Sequence, residues 1–426
     1  VFSSEPDTVT APSEPSEMTI ELIQIEGIHF ENVRFSYIDL AAKMNAAIDG
    51  LNARFNGTLQ ADVLKSKLTL EPSTVSFTFD GENYLNSFPI SLEMNSEINL
   101  KTQEIHIEKA IASISGIPLE LEGTVANHLA PEAIETRLKL KIPSARIEEV
   151  LKLVPPSYQS YFEGLELTGD FSTTGTINGF FDATRMPLFD LSFEIADGKM
   201  GYEGVPLKLS HAAGQARFTT DGINDSVTQL QIDWFEAQTP QSSFRTSGSV
   251  KNLFTDLLCD LQTTARITLS EMEPFIPAEL KTTMQGTVSG TVYTRFTLSQ
   301  LDKMEIEKMK LKGETQWANV QIDYDTLHAA FNQAQIDFAL PHPAPQSNET
   351  RFLSAFIDAD ELQASSLDHM NANLRRAKLN IETSDIRDTT RIPNLICSFE
   401  AENLKGQMDT MALEVDAPVA TIRMKP

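Results

Sequence analysis

The sequence repeats itself at a spacing of about 120 residues, which strongly limits how the chain can fold. The segment Gly123-Thr124-Val125-Ala126-Asn127 returns 125 positions later as Gly248-Ser249-Val250-Lys251-Asn252. A second set returns 121 or 122 positions later: Pro155, Gly169, Ala196-Asp197 and Tyr202 correspond to Pro277, Gly290, Ala318-Asn319 and Tyr324. Repeated units stack on their neighbours to bury faces that one unit cannot bury alone. We therefore expect an elongated protein with a long surface.

Apolar and polar residues alternate along most of the chain. The clearest runs are Val75 to Phe79, Leu138 to Ile142, Phe189 to Ile195, Val292 to Leu298 and Ile336 to Leu340. A period of two predicts β-strands with one apolar and one polar face. The pairs Asp80-Gly81, Asp197-Gly198 and Asp221-Gly222 predict hairpin turns and hence antiparallel pairing. The predicted fold is mostly β: an elongated, repeated antiparallel sheet that forms an open curved groove or partial barrel, with one or a few short helices.

One helix is predicted near residues 144–154. Apolar residues recur there at helical spacing, Ser144 is placed to cap the first turn, and Pro155-Pro156 ends the pattern. The segment 39–55 fits either a short helix or a strand.

Composition shifts divide the chain into predicted segments. These are a disordered linker at 1–17, β module 1 at 18–130, β module 2 at 131–254, β module 3 at 255–340 as a partial repeat of module 2, a Pro-rich loop at 341–350 and a C-terminal β segment at 351–426. A second polar loop is predicted at 383–393.

The charge and cysteine content exclude several classes of partner. The formal net charge is −26, so neither nucleic acid nor an anionic membrane surface is an expected partner.

Cys259 and Cys397 lie in apolar contexts typical of buried thiols, although their pairing stays open. No run of about 18 apolar residues is present. The chain begins at Val1, and we expect it to be an excised segment whose export signal or anchor lies outside it.

No catalytic pattern emerges from the residues. The seven histidines are dispersed without metal-ligand spacing, and His106 alternates with Ile105 and Ile107 on what should be a solvated face. Glu148 and Glu149 fit a solvated helix better than an acid and base pair. We expect no enzyme activity, no metal and no cofactor.

Several of these stretches together resemble the AsmA-like family of Gram-negative envelope proteins. The resemblance runs from about Ile20 to the end and rests on Phe189 to Met200, the Gly-x-Val-x-Asn segments at 123 and 248, the helix before Val154-Pro155 and the closing segment Phe399 to Gly406. It implies a periplasmic, curved antiparallel sheet with a hydrophobic interior, tethered to the inner membrane by a segment absent here. It also implies a role in outer-membrane biogenesis and, by similarity to bridge-like lipid transfer proteins, phospholipid transport. The family supplies no catalytic residues.

The leading hypothesis is a non-enzymatic segment that binds or conducts phospholipid or another envelope lipid along a hydrophobic β-groove. Its candidate lining residues are Leu138, Leu140, Ile142, Phe189, Leu191, Phe193, Phe296, Leu298, Ile336 and Phe338. The same residues would equally suit the closed core of a sandwich or barrel. The alternatives are a structural envelope scaffold that docks partners through strand edges, and a glycan-binding β protein using Trp234 and Trp317.

Overall fold

The computed structural model describes residues 22–40, 43–79, 82–127, 134–153, 163–182, 185–203, 205–276, 282–303, 305, 308–340, 351–366, 370–384, 395–408 and 411–424. Their strands are β1 (Leu22–Asp39), β2 (Met44–Gln60), β3 (Val63–Phe79), β4 (Glu82–Asn99), β5 (Glu104–Ile114), β6 (Ile117–Ala126), β7 (Ile134–Arg146), β8 (Leu165–Phe181), β9 (Leu188–Tyr202), β10 (Val205–Thr220), β11 (Gln229–Gln238), β12 (Ser243–Lys251), β13 (Leu258–Thr268), β14 (Thr282–Thr297), β15 (Lys310–Tyr324), β16 (Leu327–Leu340), β17 (Arg351–Ser366), β18 (Met370–Ser384), β19 (Leu395–Glu400), β20 (Asn403–Met408), β21 (Met411–Asp416) and β22 (Val419–Met424). Three short helices accompany them: α1 (Ile147–Leu151), a 3-10 helix (Leu269–Phe275) and α2 (Leu298–Asp302).

The strands form one long antiparallel sheet. From β1 to β18 each strand pairs with the next one along the chain, as the alternating sequence and short turns favour. β19 and β20 both pair with β18, and β22 and β21 pair with them in turn. The last four strands therefore act as two long strands with a break in each. The sheet does not close into a barrel, so the predicted fold class is confirmed.

The sheet is a single layer. Its accessible surface of 27610 Å² far exceeds the roughly 16,000 Å² expected of a compact protein of this size. Few side chains are fully buried, and several of the buried apolar residues are alanines, such as Ala237, Ala359 and Ala377. A closed sandwich core would bury large side chains from two facing sheets. The described residues contain no second sheet, so the core consists of contacts between neighbouring strands of one face.

The sequence repeat has a structural counterpart six strands long. Gly123 on β6 and Gly248 on β12 have φ angles of 132° and 141°, and a Cβ on either would lie 2.1 Å from a carbonyl oxygen of the next strand. Asn127 and Asn252, which follow these strands, have φ angles of 58° and 57°. Matching backbone strain at matching positions shows that β6 and β12 are equivalent strands.

A second set of anchors also repeats, with one correction. Asp197 on β9 and Asn319 on β15 share φ angles of 51° and 52°, so each marks a bulge inside a strand. The hairpin turn predicted at Asp197-Gly198 is therefore wrong, because both residues lie within β9. The glycine opposite the second bulge is Gly286, with φ of 108°, so the counterpart of Gly169 is Gly286 and not Gly290.

The helices depart from prediction in their bounds. Helix α1 is present but spans only Ile147–Leu151, because β7 continues through Ser144 to Arg146. Ser144 is therefore not its cap, and Arg146 takes the N-cap position without a side-chain hydrogen bond. The 3-10 helix after β13 matches α1 after β7, six strands earlier.

Strand pairing continues across the predicted module boundaries. β6 pairs with β7 across residue 130, and β12 pairs with β13 across residue 254. The ambiguous segment 39–55 belongs largely to strand β2. The predicted linker at 1–17 and the Pro-rich loop at 341–350 lie outside the described residues, as do Asp80-Gly81 and most of the polar loop at 383–393.

Candidate functional site

The candidate site is one apolar face of the sheet, built from rows of side chains that lie opposite each other on successive strands. One row crosses the fourteen strands β1 to β14 without a charged residue. Its members are Ile28, Phe55, Leu68, Met94, Ala110, Leu121, Leu140, Gly175, Leu191, Phe218, Leu230, Val250, Cys259 and Phe296. Directly paired residues point to the same face, so the row forms a continuous apolar track.

Parallel rows widen this track and carry it to the end of the sheet. One passes through Ile142, Thr173, Phe193, Ala216, Ile232, Gly248, Leu261, Thr294, Leu311 and Leu340. Another continues from Phe171 through Ile195, Gly214, Phe235, Thr246, Thr263, Val292, Gly313, Phe338, Ala355, Ile381 and Cys397 to Ile422. We refer to these three rows and the side chains that flank them on the same side as the apolar face.

The structure brings nine of the ten predicted lining residues together on the apolar face. All nine are half-buried: Leu138, Leu140, Ile142, Phe189, Leu191, Phe193, Phe296, Ile336 and Phe338. Leu298 is the exception. It follows the last residue of β14, begins helix α2 and is 42% exposed, so it does not belong to this face.

Several threonines on the apolar face make hydrogen bonds within it. The Thr173 hydroxyl donates to the Ser192 carbonyl oxygen at 2.8 Å, and the Thr315 hydroxyl donates to the Ile336 carbonyl oxygen at 2.9 Å. The hydroxyls of Thr246 and Thr263 lie 2.9 Å apart and bond to each other. Such internal pairing removes the cost of desolvating a free hydroxyl, so these residues present mainly their methyl groups.

Aromatic rings make the central part of the face cohesive. The rings of Phe171 and Phe193 have centroids 5.7 Å apart, and Phe193 and Phe218 are 6.5 Å apart. Large side chains also cover glycines on neighbouring strands, as Leu191 covers Gly175. This alternation of large and small residues fills the face without a second layer.

The opposite face carries the charges. On adjacent strands, Lys139 Nζ lies 3.0 Å from Glu122 Oε1. The Arg217 guanidinium binds the Asp190 carboxylate, with Nε 2.6 Å from Oδ1. This Arg217 guanidinium lowers the pKa of Asp190 through its hydrogen bonds and charge, although partial burial opposes the effect. His106 is exposed, as predicted, on this polar face. The two faces therefore differ sharply in chemistry.

The two tryptophans lie on opposite faces. Trp234 faces the polar side, donates to Gln215 Oε1 at 3.2 Å and lies under the Arg245 guanidinium at 5.0 Å. Trp317 faces the apolar side, donates to Thr315 Oγ1 at 2.9 Å and packs against Phe331. A single glycan-stacking platform cannot use both rings.

A depression of about 590 Å³ spans β5 to β8, and the charged residues Glu122 and Lys139 line it together with Thr174 and Thr176. Leu121, Leu140 and Gly175 of the first apolar row also border it, and of these only Leu140 is a predicted lining residue, so the depression does not coincide with the predicted lining.

Other groups considered for chemistry are engaged in structural contacts. Glu149 binds Lys152 at 2.7 Å, and Glu148 binds Arg146 at 3.1 Å, so each carboxylate has its own cation. Cys259 on β13 and Cys397 on β19 are free thiols on strands far apart in the sheet. Within the described ranges, no three His, Cys, Asp or Glu side chains come together as a metal-binding group.

Sequence reasoning missed the contribution of β1 to β6 to the apolar face. Phe55, Leu68 and Met94 belong to the same row as Leu140, yet their strands contain bulges that interrupt a strict period of two. The identification of these residues required the strand register.

No protein-family model matches this chain, and no curated protein matches it. Within the part of the chain that is described, no helix has the length and apolar character required to cross a bilayer.

Proposed function

We propose that this chain binds lipid acyl chains along the apolar face and acts in outer-membrane biogenesis as a non-enzymatic, AsmA-like periplasmic segment tethered to the inner membrane. The observation that carries the proposal is the row from Ile28 to Phe296, which is apolar over fourteen strands and has no covering layer among the described residues. Uncovered apolar surface of this extent normally marks contact with a ligand or partner.

The dimensions of the sheet suit a lipid path. The sheet has twenty strand positions, because β19 with β20 and β21 with β22 each occupy one position. At a spacing of about 4.8 Å between strands, it is about 90 Å long, measured along its surface. This length is about three times the ~30 Å hydrocarbon thickness of a bilayer. Each methylene that leaves water for the apolar face gains about 0.8 kcal/mol, so acyl chains bind without any specific polar contact.

The charge distribution gives the bound lipid an orientation. Acyl chains lie on the apolar face, while headgroups stay in water beyond it, because burial of a charged headgroup on an apolar surface is costly. The net charge of −26 keeps the exposed polar face soluble and discourages wholesale adsorption to anionic membranes.

The test compares the amount of lipid that co-purifies with the wild-type chain and with two variants after export to a bacterial periplasm. Native mass spectrometry and lipid extraction measure this amount. Phe193→Asp places a charge on the apolar face, whereas Ser192→Asp places the same charge one residue away on the exposed polar face. We expect enriched phospholipid with the wild type and Ser192→Asp, and at least a severalfold loss with Phe193→Asp. Circular dichroism of both variants separates lost binding from unfolding.

A second pair extends the test to another part of the sheet. Ile336→Asp should lose lipid and Gln335→Asp should retain it, because the two side chains point to opposite faces of β16. If the wild-type protein carries no lipid and does not bind added fluorescent phospholipid, the proposal is wrong and a scaffold role is favoured.

A further inference from the structure

Strand β1 forms a long edge of the sheet built by the described residues. It spans Leu22–Asp39 and pairs with β2 on one side, and no described residue pairs with its other side. Its side chains on the apolar face stay exposed, for example Phe35 at 54% and Tyr37 at 48%. The other end of the sheet is blunted, because Ala417 with φ of 49° and Pro418 divide that edge into two six-residue strands. Exposed long edges are templates for pairing with another strand.

We propose that β1 pairs with β1 of a second copy of this chain, antiparallel, around a two-fold axis at Phe30. This inference is independent of lipid binding. It follows from the arrangement of residues along β1, which is self-complementary about Phe30 on both faces of the sheet.

The apolar face provides the first half of this complementarity. Pairing with β2 places seven side chains of β1 on that face: Ile23, Ile25, Ile28, Phe30, Val33, Phe35 and Tyr37. The two-fold axis sets Ile23 opposite Tyr37, Ile25 opposite Phe35 and Ile28 opposite Val33, with Phe30 opposite its own copy. Every directly opposed pair on this face is apolar, and such cross-strand pairs stabilise a sheet.

The bulges of β1 fit the same register. Glu26-Gly27 already opposes a single residue of β2, and so does Glu31-Asn32. In the paired edge, Glu26-Gly27 opposes Arg34 of the second copy, and Glu31-Asn32 opposes His29. The strands therefore stay in register on both sides of Phe30.

The polar face provides the second half. Glu26 comes opposite Arg34, and Glu31 comes opposite His29, with each pair occurring twice. The Arg34 side chain is 75% exposed although its Nε lies 3.0 Å from Asp49 Oδ1, so most of its surface is open to solvent. Opposite charges at matched positions stabilise this register, whereas displaced registers lose the match. The axis is perpendicular to the sheet, so the apolar faces of both copies join on one side.

Site-specific cross-linking tests the register directly. In a chain with Cys259 and Cys397 replaced by alanine, Phe30→Cys places two thiols opposite each other, with Cβ atoms about 4.5–5.5 Å apart. We expect a disulfide-linked dimer after mild oxidation. Phe35→Cys is the matched control, because its thiol lies opposite Ile25 and about 30 Å from its own copy. A mixture of Ile25→Cys and Phe35→Cys chains should cross-link. Equal or absent cross-linking at positions 30 and 35 would overturn the proposal.

Charge exchange provides an independent test by sedimentation of the whole chain. Glu26→Arg brings like charges together twice and should weaken dimerisation by at least about tenfold. The additional change Arg34→Glu in the same chain should restore it, which a folding defect would not do. A wild-type chain that stays monomeric at its highest soluble concentration, or a double variant without rescue, contradicts the proposal.

Discussion

The phenyl ring of Phe338 on β16 lies directly over Gly313 on β15. A Cβ built on Gly313 would lie 2.3 Å from Phe338 Cζ, well inside contact distance. Gly313 itself is buried beneath the ring. The ring therefore uses the space that a side chain would occupy, and Phe338 keeps its place on the apolar face because residue 313 is glycine.

Replacement of Gly313 by alanine should destabilise the sheet by about 1–3 kcal/mol, because the ring must move out of its position. Chemical denaturation of the four members of a double-mutant cycle checks this. In a Phe338→Ala background the cost of Gly313→Ala should largely disappear, since the clash is gone. An equal cost in both backgrounds would show that the ring is not the cause.

The equivalent glycines Gly123 and Gly248 should be equally intolerant of substitution. Alanine at either position has an unfavourable φ and places Cβ 2.1 Å from a backbone carbonyl oxygen, which cannot move without breaking strand pairing. We expect each change to lower stability by more than about 2 kcal/mol. Gly406→Ala is the control, because its nearest neighbouring atom is 3.9 Å away, and it should be nearly neutral. Urea denaturation midpoints of the three variants provide the comparison.

Glu271 should make stability depend on pH. Its buried carboxylate accepts hydrogen bonds from the Thr239 hydroxyl at 2.5 Å, from the Gln241 N–H at 3.0 Å and from the Ser242 hydroxyl. Burial alone would raise the pKa of Glu271, but these hydrogen bonds outweigh it and hold the pKa below the ordinary value of 4.5.

Because its folded-state pKa is depressed, ionised Glu271 stabilises the folded chain above pH 4.5, and this contribution is lost as the pH falls through the folded-state pKa. We expect Glu271→Gln to lower the denaturation midpoint at pH 7. The difference from the wild type should shrink below pH 4. A difference independent of pH would exclude the carboxylate charge as the cause.

The two tryptophans allow lipid position to be read by fluorescence. Phospholipid with brominated acyl chains should quench Trp317 on the apolar face in a Trp234→Phe chain. The matching Trp317→Phe chain, which reports only Trp234 on the polar face, should stay bright. Equal quenching of both residues would indicate non-specific adsorption instead of binding to one face.

The local sequence pattern was sufficient to predict a strand and its two faces where apolar and polar residues alternate without interruption. The alternation from Phe189 to Ile195 predicted both a strand and the face that its aromatic residues occupy, since a strand imposes a period of two. The same reasoning failed at Leu298, where the alternation continues in sequence but the structure turns into a helix. Thr297 and Gln300 form a capping box there, a signal present in the sequence that the strand pattern obscured.

Other features depend on contacts that sequence alone does not specify. Asp197-Gly198 fits a hairpin turn as well as a bulge, and only the partner strands decide between them. Ser144 follows a proline and precedes a helical pattern, yet pairing of β7 with β8 extends the strand past it. Alternation of Leu138 and Leu140 likewise fits a filled core and an open face. The described residues form no second layer over this face, which distinguishes the open face from the filled core.

The equivalence of Gly123 and Gly248 makes the length of this protein adjustable in whole units. Both residues occupy the same place in a six-strand repeat. If Gly123 were joined directly to Ser249, the combined strand would therefore pair with β5 and β13 in the registers that β6 and β12 now have. The number of repeats thus sets the length of the sheet. Gene duplication or loss of one unit would change the reach of the protein in steps of about 30 Å while its two ends stay the same.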